Sequence, residues 1–496
     1  MQVSGTVLRY HEFVSDISTP DWVKDAVFYQ IFPDRFAKSV RVRKSSNLEA
    51  WDAKPTPHGY KGGDLYGVIE HLDHLERLGV TAIYFCPVFQ SGANHRYHTH
   101  DYFNVDPMLG GNQALEDLIA AAHAKGMKVV LDGVFNHASR GFFQFHDILE
   151  NGAQSAYLDW FNVKGFPLNA YETKDPPNYE AWWGYPALPA FNTDTPAVRE
   201  FLWDIAEYWI NKGVDGWRLD VPNEIDDDEF WREFRRRVKN INPDAYIVGE
   251  IWGDATRWLQ GDQFDAVMNY VFTTICYEFL AGKRIQLDVI LDTGLKHLRH
   301  LEAPEFAKKL EELLVQHPQE IVLAQLNLLG SHDTPRVMSV TGGNVLSVKL
   351  MTILQMTLPG APCIYYGDEI GLEGARDPDC RRGMPWDQKL WNHDLLEFTA
   401  KAVKIRKSIP ALRQGKYKTL YAQNMTFMFE RHLEDSFAIV VLNAGDTNQV
   451  IALKGVPNGT YLEQFSGTAT SVSDGNFNLE IPARTGQVLL LRPDRA

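Results

Sequence analysis

Four short stretches of this 496-residue chain set carboxylates beside basic and imidazole side chains. Residues 132–137 read Asp-Gly-Val-Phe-Asn-His, and 216–224 read Gly-Trp-Arg-Leu-Asp-Val-Pro-Asn-Glu. Residues 249–252 read Gly-Glu-Ile-Trp, and 331–333 read Ser-His-Asp. Polar groups cluster where apolar runs stop. Glycoside hydrolysis needs such an inventory: one carboxylate attacks the anomeric carbon and a second protonates the leaving oxygen, about 5–5.5 Å away when configuration is retained. Neighbouring strands lie roughly 4.8 Å apart. Asp220 and Glu250, at the ends of adjacent strands, therefore suit the retaining distance. Arg218 precedes Asp220 by two residues and shares its face of the strand. Its guanidinium would keep Asp220 ionised. Glu250 lies beside Gly249, Ile251 and Trp252, a less polar setting that raises a carboxyl toward acid catalysis. Asp333, His137 and His332 are candidates to hold sugar hydroxyls in a distorted ring. Each residue alone also has a structural reading: a helix cap, an ion pair, a hydrogen-bonded histidine. The ordered set is what points to chemistry.

Such residues must be positioned by a scaffold. Eight short apolar runs read as strands: 26–32, 82–89, 129–135, 216–221, 246–251, 266–270, 324–329 and 363–366. Helical patterns lie between them. Leu65–Leu78 repeats apolar residues at helical spacing and stops at Gly79. The stretch 196–212 opens with Pro and ends before Gly213. Alternating α and β units with near-continuous apolar strands predict a parallel sheet covered on both faces. Eight such strands predict an α/β fold, a closed (β/α)8 TIM barrel with reactive side chains at the C-terminal strand ends. An open doubly wound sheet is the alternative. The connection from Phe135 to Pro196 is rich in Trp, Tyr and Phe and too long for a structureless loop. It predicts a small inserted domain after the third strand. Beyond residue 405, strand-like runs at 426–431, 437–442, 450–453 and 487–491 alternate with turn residues and predict an all-β sandwich. The expected division is barrel 1–136, insert 137–193, barrel 194–404 and β domain 405–496.

The formal net charge of -15 argues against nucleic acid or an anionic membrane as partner. An aromatic content of 12% suits a sugar cleft as well as a large core. Cys86, Cys276, Cys363 and Cys380 show no CxxC spacing and read as buried thiols in a reducing compartment. Residues 1–14 lack the apolar segment of a signal peptide, and no run is long enough to span a membrane. The expected location is cytoplasmic.

The four stretches, in this order, resemble the motifs of glycoside hydrolase family 13, the α-amylase family. The resemblance covers nearly the whole chain. It implies Asp220 as nucleophile, Glu250 as acid/base and Asp333 as transition-state stabiliser, with Arg218, His137 and His332 at the cleavage subsite. Tyr97, within 94–101, resembles the family's sugar-stacking tyrosine. Asp377 and Arg381, in Asp-Pro-Asp-Cys-Arg, resemble its contacts to the non-reducing side. The start at 25–36 and the ending Val221-Pro-Asn-Glu224 are similar to the neopullulanase and cyclomaltodextrinase group, which implies Asn223 and Glu224 at the leaving-group subsites. With its barrel starting near Trp22, the chain resembles short forms without that group's N-terminal domain, some of them debranching enzymes. Any dimer would then use barrel or C-terminal surfaces, and both monomer and homodimer stay open. The group's early calcium loop is rich in Asn and Asp. Here 38–44 carries Arg41, Arg43 and Lys44, which disfavours calcium there. Glu224 stands near where many amylases carry a second calcium-site histidine. The group's MPKLN is represented by Leu188-Pro-Ala-Phe-Asn192, with Ala190 replacing the lysine. No cofactor is expected.

Two other classes of function compete with this reading. A metal-dependent barrel hydrolase could use His95, His98 and His100, but no matching ligands stand on later strands. A non-catalytic relative would typically lose one of the three acids, and all are present. Within the enzyme reading the expected substrates are α-glucan oligosaccharides. Cyclodextrins, pullulan, α-1,6 branch points and linear maltooligosaccharides all remain candidates, with transglycosylation as a competing outcome.

Overall fold

The computed structural model describes residues 17–171 and 174–492. The N-terminal stretch read above for a leader lies outside the described residues. Eight parallel strands form one sheet: β1 (Phe28–Ile31), β2 (Ala82–Phe85), β3 (Lys128–Gly133), β4 (Gly216–Leu219), β5 (Tyr246–Gly249), β6 (Ala266–Val267), β7 (Leu326–Leu328) and β8 (Ala361–Tyr365). Neighbours follow in the order 6-5-4-3-2-1-8-7. A parallel bridge from Met268 to Leu326 closes β6 onto β7, and the Asn269 N–H donates to Leu326 O at 2.8 Å. The sheet is therefore a closed barrel, and the open doubly wound alternative falls.

The two-residue period of a strand sorts the side chains. One set, including Phe28, Ala82, Tyr84, Val130, Tyr246, Val248, Leu326, Leu328 and Cys363, packs together inside the barrel. The alternate set, including Tyr29, Ile83, Val129, Leu131, Trp217 and Ile247, packs outward against the helices. The inner parity continues upward through Gln30 on β1, Asp132 on β3, Arg218 on β4 and the residues just past β4 and β5. Gln30 pairs in register with Tyr84, and Asp132 with Arg218. Polar side chains thus meet at the C-terminal mouth because apolar ones fill the layers below.

Gly216 shows how tightly β4 and β5 approach. A Cβ there would lie 2.3 Å from the Tyr246 carbonyl oxygen, a backbone atom that cannot swing away. Gly216→Ala is expected to destabilise the fold by about 1–3 kcal/mol, the usual range for overpacking. A fall in melting temperature would register it, and an unchanged one would contradict the close approach.

Two differences from the sequence reading have local causes. The helix read over Leu65–Leu78 is broken into Leu65–Glu70 and Leu72–Leu78. The His71 imidazole Nδ1 takes the Gly67 carbonyl at 2.8 Å, and the His71 N–H turns to Val68 O instead. A side chain has displaced the backbone from its own helical acceptor. The stretch beyond β2 is no continuation of the strand. It becomes a hairpin of Phe89–Ser91 and Thr99–Val105, which carries Tyr97 in its connection.

The insert packs Phe142, Phe145, Phe161, Tyr179 and Phe191 against one another and is pinned to the end of β3 by a His137–Ala190 bridge. From Lys416 onward the chain forms a six-stranded antiparallel sheet and a two-stranded one, with Met428, Ile439, Ile451, Tyr461, Phe477 and Leu489 between them. Arg484 donates to Leu280 O at 2.8 Å and ties this β domain to the barrel.

Candidate active site

The Arg218 guanidinium, fully buried, is the hub of the mouth. Its Nη1 donates to Asp132 Oδ1 at 2.9 Å and to Asp220 Oδ1 at 3.0 Å, and its Nη2 lies 3.0 Å from Glu250 Oε2. One guanidinium therefore spans both Asp220 and Glu250. Their backbones follow the ladder, with Asp220 N–H on Gly133 O and Glu250 N–H on Leu219 O. Val221, next to Asp220, holds a left-handed backbone at φ 36° and ψ 51°. That conformation is costly for a β-branched residue. It turns the chain sharply and aims the Val221 N–H at Glu250 Oε2, 3.3 Å away. Trp252 Nε1 donates to Glu250 Oε1 at 3.2 Å, and its ring lies flat on Tyr270 with centroids 3.7 Å apart.

Burial pushes the carboxyls of Asp132, Asp220 and Glu250 upward from their ordinary values, and Arg218 opposes this at each. Burial thus outweighs the Arg218 attraction that alone would keep Asp220 ionised, and three acids facing one cation favour at least one retained proton among them. Asp132 was not singled out by the sequence reading, yet it accepts from Arg218, from Tyr84 Oη at 2.9 Å and from Tyr97 Oη at 2.8 Å. Strand parity was the signal that could have found it, since Asp132 and Arg218 share a register position.

Tyr97 and His332 form one wall. Their rings stack with 6° between planes, and Tyr97 Oη lies 2.6 Å from His332 Nε2. The Gln30 amide donates to His332 Nδ1 at 2.9 Å, which leaves Nε2 as the protonated nitrogen. Burial, with Arg381 and Arg218 nearby, drives His332 well below its ordinary pKa, so the ring is neutral. Arg381 donates to His332 O at 2.8 Å and to Asp333 Oδ1 at 3.2 Å, and forms an ion pair with Asp377 Oδ1 at 3.0 Å. Asp333 stays partly open to the cleft, its side chain 29% exposed.

His137 is buried, pushed down to about 3 by desolvation, and its Nε2 has no partner within the protein. A buried unpaired ring nitrogen at a cleft wall suits a ligand hydroxyl. Asn223 and Glu224 sit apart from the cluster, exposed on the rim in the turn Pro222–Glu224.

The early loop does not fit calcium. Lys44 Nζ pairs with Asp64 there, and the same buried carboxylate accepts from Ser39 N–H at 2.9 Å and Gly67 N–H at 2.7 Å. An ammonium already satisfies the acid that a cation would need. Among the described residues, no three His, Cys, Asp or Glu side chains are grouped to hold a metal ion. His95 and His98 meet edge to face at 4.8 Å, and burial lowers both pKa values.

The alpha amylase catalytic domain matches residues 30–414, which span the barrel and the insert. The chain belongs to the alpha-amylase family. The alpha-amylase C-terminal domain matches residues 415–489. A cyclomaltodextrinase of Geobacillus thermopakistaniensis is 46% identical over 82% of this chain and 66% of its own length. Neopullulanase 2 of Thermoactinomyces vulgaris is 42% identical over 95% of this chain and 78% of its own. The crystal structure of a debranching enzyme from Nostoc punctiforme superimposes with TM-score 0.88 at 50% identity, covering 96% of this chain and 99% of that one. Alpha-amylase family membership makes this chain a glycoside hydrolase. No helix among the described residues is long and apolar enough to cross a membrane.

Proposed function

We propose that this alpha-amylase family member is a retaining α-glucan hydrolase that cleaves α-1,4 bonds, with α-1,6 bonds a second candidate, in maltooligosaccharides, cyclodextrins or pullulan. One observation carries the reading: Asp220 and Glu250, on adjacent strand ends, both reach the same Arg218 guanidinium at 3.0 Å. In this reading the Asp220 carboxylate attacks the anomeric carbon while Glu250 gives its proton to the departing oxygen. The C–O bond breaks as the glucosyl ester forms. Glu250, now ionised, takes a proton from water, whose oxygen displaces Asp220 and restores the starting α configuration. A sugar hydroxyl can replace that water and give transglycosylation. Asp333 and His332 hold hydroxyls of the distorted ring, and Tyr97 offers its ring as a stacking face. His137 donates or accepts at the same glucosyl unit. Asp377 and Arg381 bind toward the non-reducing side, Asn223 and Glu224 toward the leaving group.

The same reading divides the chain into barrel (1–136 and 194–404), insert (137–193) and β domain (405–496), with the insert shaping the cleft. The names of the relatives support the substrate class, and the four thiols, all buried and unpaired, support a reducing cytoplasm. The test is product analysis on β-cyclodextrin and pullulan side by side, with proton NMR of the first products. The expected result is reducing sugar released first as the α anomer from at least one of the two. First release of the β anomer would defeat the retaining mechanism, and no release from any α-glucan would defeat the hydrolase.

A further inference from the structure

A surface feature of the insert stands outside the carboxylate cluster. Trp182–Gly184 forms a single 3-10 turn. It is tied to the end of β3, because Ala181 bridges Pro189, Ala138 N–H donates to Pro189 O at 3.0 Å, and His137 bridges Ala190. The Trp182 ring stacks on His137 with centroids 5.3 Å apart and 21° between planes. Trp183 stacks on Trp182 at 4.9 Å and 17°. Three near-parallel rings therefore run outward from the buried wall of the cleft.

Trp183 gains little for the fold. It is 74% exposed, and its backbone is left-handed at φ 50° and ψ 24°. That conformation costs a side-chain-bearing residue about 1–2 kcal/mol relative to glycine. An indole this exposed returns little of that cost as apolar burial beyond its contact with Trp182. Tyr185, 53% exposed, lies 6.1 Å from Trp182 and widens the same aromatic surface. Trp183 thus joins a strained backbone to a large flat apolar ring open to solvent, linked through Trp182 to His137.

We propose that Trp183 is a stacking platform for a glucosyl ring of the α-glucan chain, at a unit remote from the bond being cut. A pyranose offers a flat C–H face with hydroxyls around its rim, which matches an indole lying open to water. Continuity through His137 selects the bound substrate chain as occupant. The inference rests on the hydrolase reading and specifies which substrates that site prefers: long chains over short ones.

The test compares wild type, Trp183→Gly and Trp183→Phe on maltoheptaose and on maltotriose. Glycine suits the left-handed backbone, so Trp183→Gly should melt at the wild-type temperature or above it. On maltoheptaose its kcat/KM should fall roughly tenfold, chiefly through KM, while maltotriose changes by less than about twofold. Trp183→Phe should recover most of the loss. Equal effects on both substrates, or none on maltoheptaose, would overturn the platform while leaving the hydrolase standing. A wild-type enzyme inactive on both linear substrates would overturn the platform, and one inactive on every α-glucan, β-cyclodextrin and pullulan included, would overturn the hydrolase reading with it.

Discussion

Asp220→Asn is expected to lower kcat on maltooligosaccharides by roughly ten-thousandfold or more, the scale of losing a covalent nucleophile. The amide matches the carboxylate in shape and can still accept from Arg218 Nη1, now 3.0 Å from Asp220 Oδ1. It cannot attack the anomeric carbon. The fold should not suffer. Asp132, Asp220 and Glu250 crowd one guanidinium, and burial already works against the charge on each. Removing one acid relieves that crowding, so the melting temperature should hold or rise, as when a functional strain is relaxed. Kinetics and a thermal melt on the same preparation check both halves. Activity near the wild-type level would end the assignment of Asp220. Lost activity together with lost fold would mean that Asp220 serves stability.

Glu250→Gln is expected to separate the two half-reactions. Loss of general acid catalysis on a natural glucan should cost about 10²–10⁴-fold in rate. An aryl α-glucoside with a good leaving group needs no proton, so its first step should survive. Water then lacks a base, and the glucosyl-enzyme should accumulate. A stopped-flow burst of phenol near one equivalent per site, followed by slow turnover, is the outcome to look for. Glutamine keeps the acceptor for the Val221 N–H, now 3.3 Å from Glu250 Oε2, and gives up only the charge of the ion pair with Arg218 Nη2 at 3.0 Å. The variant should therefore fold normally. Equal losses on the aryl substrate and the glucan would argue that residue 250 only positions groups.

Much of the scaffold was readable from the chain. Runs such as 82–85 and 246–249 are apolar without interruption because both faces of a barrel strand are buried, one inside and one under helices. The ends of the runs were less readable. The stretch 266–270 read as a strand, but only Ala266–Val267 ladders, and a helix begins at Tyr270, capped by Asn269. In the β domain, the strands Lys416–Gln423, Gly459–Glu463, Ala469–Val472 and Phe477–Ile481 carry a weaker signal than those at 426–431 and 437–442. Polar residues interrupt their apolar pattern, since such strands turn one face to water.

Local order in the chain determined which acids and bases stand at the strand ends and in what sequence, because each strand carries its own two-residue parity to the barrel mouth. Only the closed tertiary structure decided what those residues meet. Arg218 reaches Asp132, Asp220 and Glu250 at once, and Gln30 orients His332 from more than three hundred positions away. Contacts of that kind depend on strand register and barrel closure, which are set by packing across the whole domain and leave no mark at any single position.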